Sequence, residues 1–208
     1  MNLMCLAAAQ LFELLSMGLR LPDKQLAETL ASGEYADALQ ETLSSLGIVD
    51  DGFSDSLRIY VGQDAEALFH RARAEYTRLF VGAPHALVSP YAGVYYAEKV
   101  GVTPVLYVNK ESMEVERFMA ACGVVRPEGT NEPLDHIASE LEFLEYLALD
   151  AIGAMHDEER QPVPGGSLEK FYTDKFVPFV QQLAPKIVEA SEEALYVTLA
   201  RVLQASVQ

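Results

Sequence analysis

Positive charge is scarce in this chain: 15 lysines and arginines stand against 31 aspartates and glutamates, a formal net charge of −16 over 208 residues. Such a field repels nucleic-acid phosphates and anionic membrane surfaces and favours a cationic partner. Cysteine is scarce as well. Cys5 and Cys122 lie far apart and form no Cys-x-x-Cys pair, which argues against a disulfide framework or zinc knuckle and fits a reducing compartment. The opening stretch MNLMCLAAAQLFELLSMGLR has no basic residue before Arg20, and Gln10 and Glu13 interrupt its apolar run. It lacks the positive n-region of a signal peptide and the roughly 20 apolar residues of a membrane span, so a cytoplasmic protein is expected. Neither G-x-G-x-x-G nor G-x-x-x-x-G-K-[ST] occurs, and no histidine follows a glutamate by three positions. Dinucleotide, P-loop and carboxylate-bridged di-iron chemistry therefore lose their usual signatures.

Strand-like alternation and internal repeats are missing too. Half of the residues are hydrophobic, and they recur at helical spacing. Leu3, Leu6, Gln10, Leu14 and Met17, with Leu11 and Leu15 beside them, predict a helix ending near Gly18. Pro22 suits the first turn of a second helix through Leu30, closed by Gly33. Tyr35, Leu39, Leu43 and Leu46 mark a third, ending at Gly47, and IVDDGFSDS reads as a loop. Further helices are predicted from about Gln63 to Phe80, from Val94 to Lys99 and from Glu111 to Cys122. The clearest starts with Pro133 in its first turn, carries Leu134, Ile137, Leu141, Leu144 and Ala148, and runs to about His156. A helix from Leu168 should kink or split at Pro178, and a last one starts at Pro185. The expected fold is all-α: one bundle-like domain over 1–208 with about nine helices, or two closely packed halves with a hinge at 124–131. Hinge loops permit domain exchange, so monomer and swapped dimer are both open.

Two irregular segments interrupt the helices, and they hold the informative residues. The first reads Tyr76-Thr77-Arg78-Leu79-Phe80-Val81-Gly82, then a loop, then Ser89-Pro90-Tyr91-Ala92-Gly93-Val94-Tyr95. The second reads Glu132-Pro133-Leu134-Asp135-His136-Ile137, followed by Glu140-Leu141-Glu142-Phe143-Leu144. Their order and approximate spacing resemble the TorD/DmsD/NarJ family of cytoplasmic chaperones that mature molybdenum-containing redox enzymes. That family carries Tyr-x-x-Leu-Phe-x-Gly, Pro-x-x-Ser-Val-Tyr and Glu-Pro-x-Asp-His leading into Glu-Leu-x-Phe. The chain departs from it twice: Gly93 stands where the family has Ser, and a C-terminal Trp has no counterpart, with Phe171, Phe176 and Phe179 in that neighbourhood.

The resemblance implies a TorD-like helical fold and no catalysis. It implies binding of the twin-arginine signal peptide, and of the apo-form, of a molybdopterin oxidoreductase. Export would wait until the cofactor is inserted. Carried over residue by residue, the implied peptide contacts are Pro90, Gly93, Val94, Tyr95, Glu132, Asp135 and His136. A NarJ-like client without an export signal is the nearest alternative. A small helical metal- or nucleotide-dependent enzyme is a more distant one.

Residue chemistry is compatible with that role. From Pro127 to Glu159 there are ten acidic residues and no Lys or Arg, and carboxylates beside an apolar groove suit an arginine-bearing, apolar leader. A structural role is open for each marked residue. Pro133 could start the helix, and Glu132 and Asp135 could favour its dipole. An imidazolium at a helix N-terminus is disfavoured, so His136 is expected to be neutral and hydrogen-bonded. Tyr76, Leu79 and Phe80 read as core, and Gly82 as the end of a helix. His136 with Glu140 gives two metal ligands, which is too few. Cys122 lacks an activating cation nearby. No catalytic residue, metal or cofactor is expected.

Overall fold

In the computed structural model, residues 2–82, 86–99, 101, 110–126, 133–155 and 161–208 are described. The helices are α1 (Asn2–Leu19), α2 (Lys24–Ser32), α3 (Glu34–Leu46), α4 (Phe53–Leu57), α5 (Ala65–Tyr76), α6 (Ala92–Lys99), α7 (Lys110–Ala121), α8 (Ile137–Ala151), α9 (Ser167–Phe171), α10 (Val177–Ala190) and α11 (Ala194–Ser206). A 3-10 turn, Arg58–Tyr60, extends α4; one π-helical segment, Thr77–Val81, extends α5, and a second, Tyr172–Phe176, joins α9 to α10. Among the described residues there is no strand, only one isolated bridge between Tyr91 and His136. The all-α expectation holds.

Local chemistry explains the ends. Asp23 caps α2 by accepting the Leu26 amide at 2.9 Å, which leaves Pro22 outside the helix rather than in its first turn. The supposed loop IVDDGFSDS contains the start of α4, because Asp50 Oδ1 accepts the Phe53 and Ser54 amides at 2.7 and 3.2 Å. Pro133 does not open α8. Residues 135–137 give their backbone groups to residues 90–92, so helical geometry starts only at Ile137.

The chain turns helical again at Ser167 and stays so to Ala190, and both prolines in that run are accommodated. Pro178 follows the second π turn, in which Val177 N–H bonds the Tyr172 carbonyl. The carbonyls of Asp174 and Lys175 then lie 3.5 and 3.4 Å from the Tyr96 hydroxyl, a partner outside the helix. Pro185 lies inside α10 rather than opening the last helix. Pro185 and Gln181, the residue whose carbonyl it cannot bond, are both exposed, so water can serve that carbonyl.

One contiguous core runs from Leu11 to Leu203. The most extensive helix pair is α1 with α8. The two run antiparallel: Arg20, just past the end of α1, is 3.8 Å from Glu142 near the start of α8, whereas Ala8 shares a cavity with Leu147 and Ala151 near its end. Helix α11 packs on α1 at Gly18, where a Cβ would run into the Leu199 side chain. Phe171, Phe176 and Phe179, in place of a Trp, are fully buried and touch Phe143, Phe12 and Tyr95 respectively. They tie the 167–190 run to α8, α1 and α6. Of the expected hinge, Val124 packs partly against the core and Arg126 pairs with Glu116 at 2.9 Å; positions 127–131 lie outside the described residues. No single helix among the described residues is long and apolar enough to cross a membrane.

Candidate functional site

The two marked segments meet at the amino end of α8. Ile137 N–H donates to the Pro90 carbonyl and Ala92 N–H to the Asp135 carbonyl, each at 2.9 Å, so that Tyr91 and His136 face each other in antiparallel fashion. This single rung forces the Asp135–His136 turn out of the helix and sets the direction in which α8 departs.

Asp135 is fully buried. Its Oδ2 accepts the Gly93 amide at 2.8 Å and the Ser112 hydroxyl at 2.7 Å. One carboxylate thus pins the first turns of α6 and α7 against the turn before α8. Burial raises its carboxyl above the usual range, and the bonds from Ser112 and Gly93 act in the opposite direction.

His136 caps α8 through its side chain: Nδ1 accepts the Ala138 amide at 3.1 Å. The proton therefore belongs on Nε2, which lies 3.2 Å from the Tyr76 hydroxyl at the end of α5. Burial lowers the imidazole to about 4, so it is neutral near pH 7, as its place at a helix N-terminus demands. Through Tyr76 the first motif is tied to the second. Phe80 packs edge-on against Tyr76 at 5.1 Å, and the Leu79 carbonyl accepts the Val88 amide at 2.9 Å. Gly82 ends the π segment by donating to Thr77, at a positive φ of 24° that favours glycine.

One turn further along α8, Glu140 is also fully buried, and among the described residues neither of its carboxyl oxygens has a hydrogen-bond partner. Burial, then the neighbouring Asp135, raise its carboxyl well above the usual range, against the pull of Lys175. That favours the neutral acid. Lys175 itself bonds Glu111 at 3.2 Å and Glu114 at 2.9 Å.

Of the residues expected to touch a peptide, Pro90, Gly93, Tyr95, Asp135 and His136 are buried, and Val94 is half-buried. Tyr95 donates to the Ser89 carbonyl at 2.9 Å and packs on Phe179. Glu132 lies outside the described residues. Pro133 is buried ahead of the turn. Tyr76, Leu79 and Phe80 are core residues. Asp135, expected in the first turn of the helix, precedes its cap, and its partners are Gly93 and Ser112 rather than the helix dipole. Sequence reasoning missed Ser112, which has no signal beyond being a serine on an amphipathic helix. It also missed the burial of Glu140.

This arrangement is a joint rather than a reactive centre. Both His136 nitrogens are engaged, and Cys122 lies 3.6 Å from the Ser167 hydroxyl. Among the described residues no three His, Cys, Asp or Glu side chains group as a metal site. The marked residues lock the helices of an all-α protein together at this point.

Its family is specific. A family model described as nitrate reductase delta subunit matches residues 31–184, and the chain belongs to that family. It is similar to the chaperone protein TorD of Photobacterium profundum, at 26% identity over 135 residues. That match covers 65% of this chain and 60% of the relative. It is also similar to TorD of Vibrio parahaemolyticus, at 25% identity over 187 residues, covering 86% and 83%. A solved structure described as a candidate redox enzyme maturation protein from Archaeoglobus fulgidus shares the fold, with a TM-score of 0.53 at 21% identity, covering 94% of this chain and 91% of that one. The resemblance read from the two motifs is borne out, and the named relatives are chaperones, not enzymes.

Proposed function

We propose that this protein is a cytoplasmic maturation chaperone that binds the twin-arginine leader, and the apo-form, of a molybdopterin oxidoreductase and delays export until the cofactor is in place. The observation that carries this reading is the meeting of the two family motifs in one joint, in a chain that belongs to the family and matches TorD chaperones. The net charge of −16 suits an arginine-bearing partner. In this reading Pro90, Gly93, Tyr95, Asp135 and His136 act as positioning residues. They hold Tyr91, Val94 and Leu134, all half-buried, and Leu87, 58% exposed, at the surface beside the turn.

Apolar contacts supply most of the affinity, at about 0.8 kcal/mol per buried methylene, whereas an exposed arginine–carboxylate pair adds about 0–1 kcal/mol. Calorimetric titration with twin-arginine leaders from the same genome tests the proposal. Binding of one leader in preference to others is expected; no binding by any leader, nor by the apo-reductases, overturns it. The family description, nitrate reductase delta subunit, favours a second reading in which the client carries no export signal. Co-purification of a reductase subunit lacking a leader would decide for it.

A further inference from the structure

At the other end of α8 the molecule has an open groove that the motif residues do not touch. Its volume is about 690 Å³, within the roughly 300–1,000 Å³ of ligand-sized sites. The walls are apolar: Ala8, Leu11 and Phe12 of α1, Leu147 of α8, Ile48 after α3, and Leu168 of α9. Met4 lies on the same face of α1 as Ala8 and Leu11, one turn earlier, and is 62% exposed, so the apolar track runs on past the groove.

The electrostatics of the groove have one dominant sign. Leu46, Ala151 and Ser206 all line it, and each is the last helical residue of its helix, α3, α8 and α11. Three helix carboxyl ends, each carrying a partial negative charge, thus converge on one apolar surface. Asp150 and Glu169 add two carboxylates to the lining, which among the described residues holds no Lys or Arg. One helix amino end, that of α9 at Ser167, acts in the opposite direction, though the Ser167 amide is already bonded to the Pro164 carbonyl.

We infer that this groove takes the apolar stretch of a peptide whose flanking residues are cationic, with the cations lying toward Glu169 and the converging carboxyl ends. The inference rests on the leader-binding reading and gives it a place. The amino end of α8 suits a cation poorly: Asp135 and Glu140 are buried, Glu142 already lies beside Arg20, and a helix N-terminus repels positive charge. The carboxyl end, about 22 Å away along the 15 residues of α8, has the complementary charge and the open apolar surface.

The test uses the full chain and a synthetic peptide of two arginines followed by a leucine–alanine stretch that carries a photo-crosslinking benzophenone. Crosslinks are expected within residues 4–12 and 163–168. Ala151 is exposed at the groove, so Ala151→Trp fills it without disturbing the core, and should weaken binding by about tenfold or more. Glu169→Lys should weaken it by roughly threefold, and by less at high salt. Crosslinks confined to 87–95 and 134, with both variants binding as the wild type does, overturn the inference and leave the leader-binding reading standing. No binding of this peptide by the wild type overturns the inference, while the titration with genomic leaders decides the reading separately. A dimer that Ala151→Trp converts to monomer would make a second copy the occupant, which also overturns it.

Discussion

The two ends of α8 are built on opposite plans. At the amino end the two side chains at the turn face inward: Asp135 holds α6 and α7, His136 holds α5 and caps its own helix, and one backbone rung fixes the turn. At the carboxyl end the helix stops beside open apolar surface, and two other helices end there with it. The marked residues are thus those that lock the helices together, whereas the groove inferred to take a peptide is lined by ordinary apolar residues. A mutation can therefore cost stability at one end and binding at the other.

The sharpest way to break this contrast is Asp135→Ala. It strands the Gly93 amide and the Ser112 hydroxyl inside the protein, and should cost about 3 kcal/mol, a fall in Tm of roughly 6–12 °C. A melt followed by circular dichroism that moves by less than about 2 °C would show that the amino end is no joint. Glu140→Met should act in the other direction. Removing a buried carboxyl whose oxygens have no partners should raise stability by roughly 1–3 kcal/mol in urea unfolding at pH 7. A loss instead would mean that the acid has a use inside the fold. His136→Ala gives up the cap and the tie to Tyr76 and should cost about 1–2 kcal/mol.

Acid separates the two buried groups. The His136 imidazole lies at about 4 when folded, against an ordinary 6.5, so the unfolded chain takes up its proton first. Its contribution is complete above pH 6.5 and is lost as pH falls toward 4. Glu140 is raised from 4.5, so the folded chain holds its proton more tightly, and its contribution improves as pH falls toward 4.5. The two oppose each other. In Glu140→Met the Glu140 contribution is gone while the smaller opposing one of Asp135 remains, and stability between pH 7 and pH 5 should fall more steeply than in the wild type. Equal slopes would contradict this assignment. The smallest effect on stability is expected at the carboxyl end: Ala151→Trp should leave the urea midpoint within about 0.5 kcal/mol of wild type.

Most of the architecture was legible from periodicity, because long amphipathic stretches such as 137–148 have one solution. What failed was local and had local causes. Asp50 starts a helix by accepting two amides, and a reading of Asp, Gly and Ser as loop residues does not register that. Pro133 resembles a helix starter until the backbone of 135–137 is seen to serve residues 90–92, a pairing across more than 40 positions that no local pattern reports. Pro185 is tolerated where it and Gln181, whose carbonyl it abandons, are both exposed residues, a matter of exposure rather than of spacing. At the site, the motifs told which residues matter and not which way they point. The neutrality of His136 followed from its helix position; the burial of Asp135 and Glu140 did not.

The bond between Asp135 and position 93 concerns the main chain alone. Gly93 contributes an amide, which every residue but proline possesses, so the serine hydroxyl of the family pattern is not needed to close the joint. Drift at position 93 is then limited by the room available in a buried site rather than by hydrogen-bonding chemistry. A search keyed to serine at this position would pass over a chain whose helices are held as they are here.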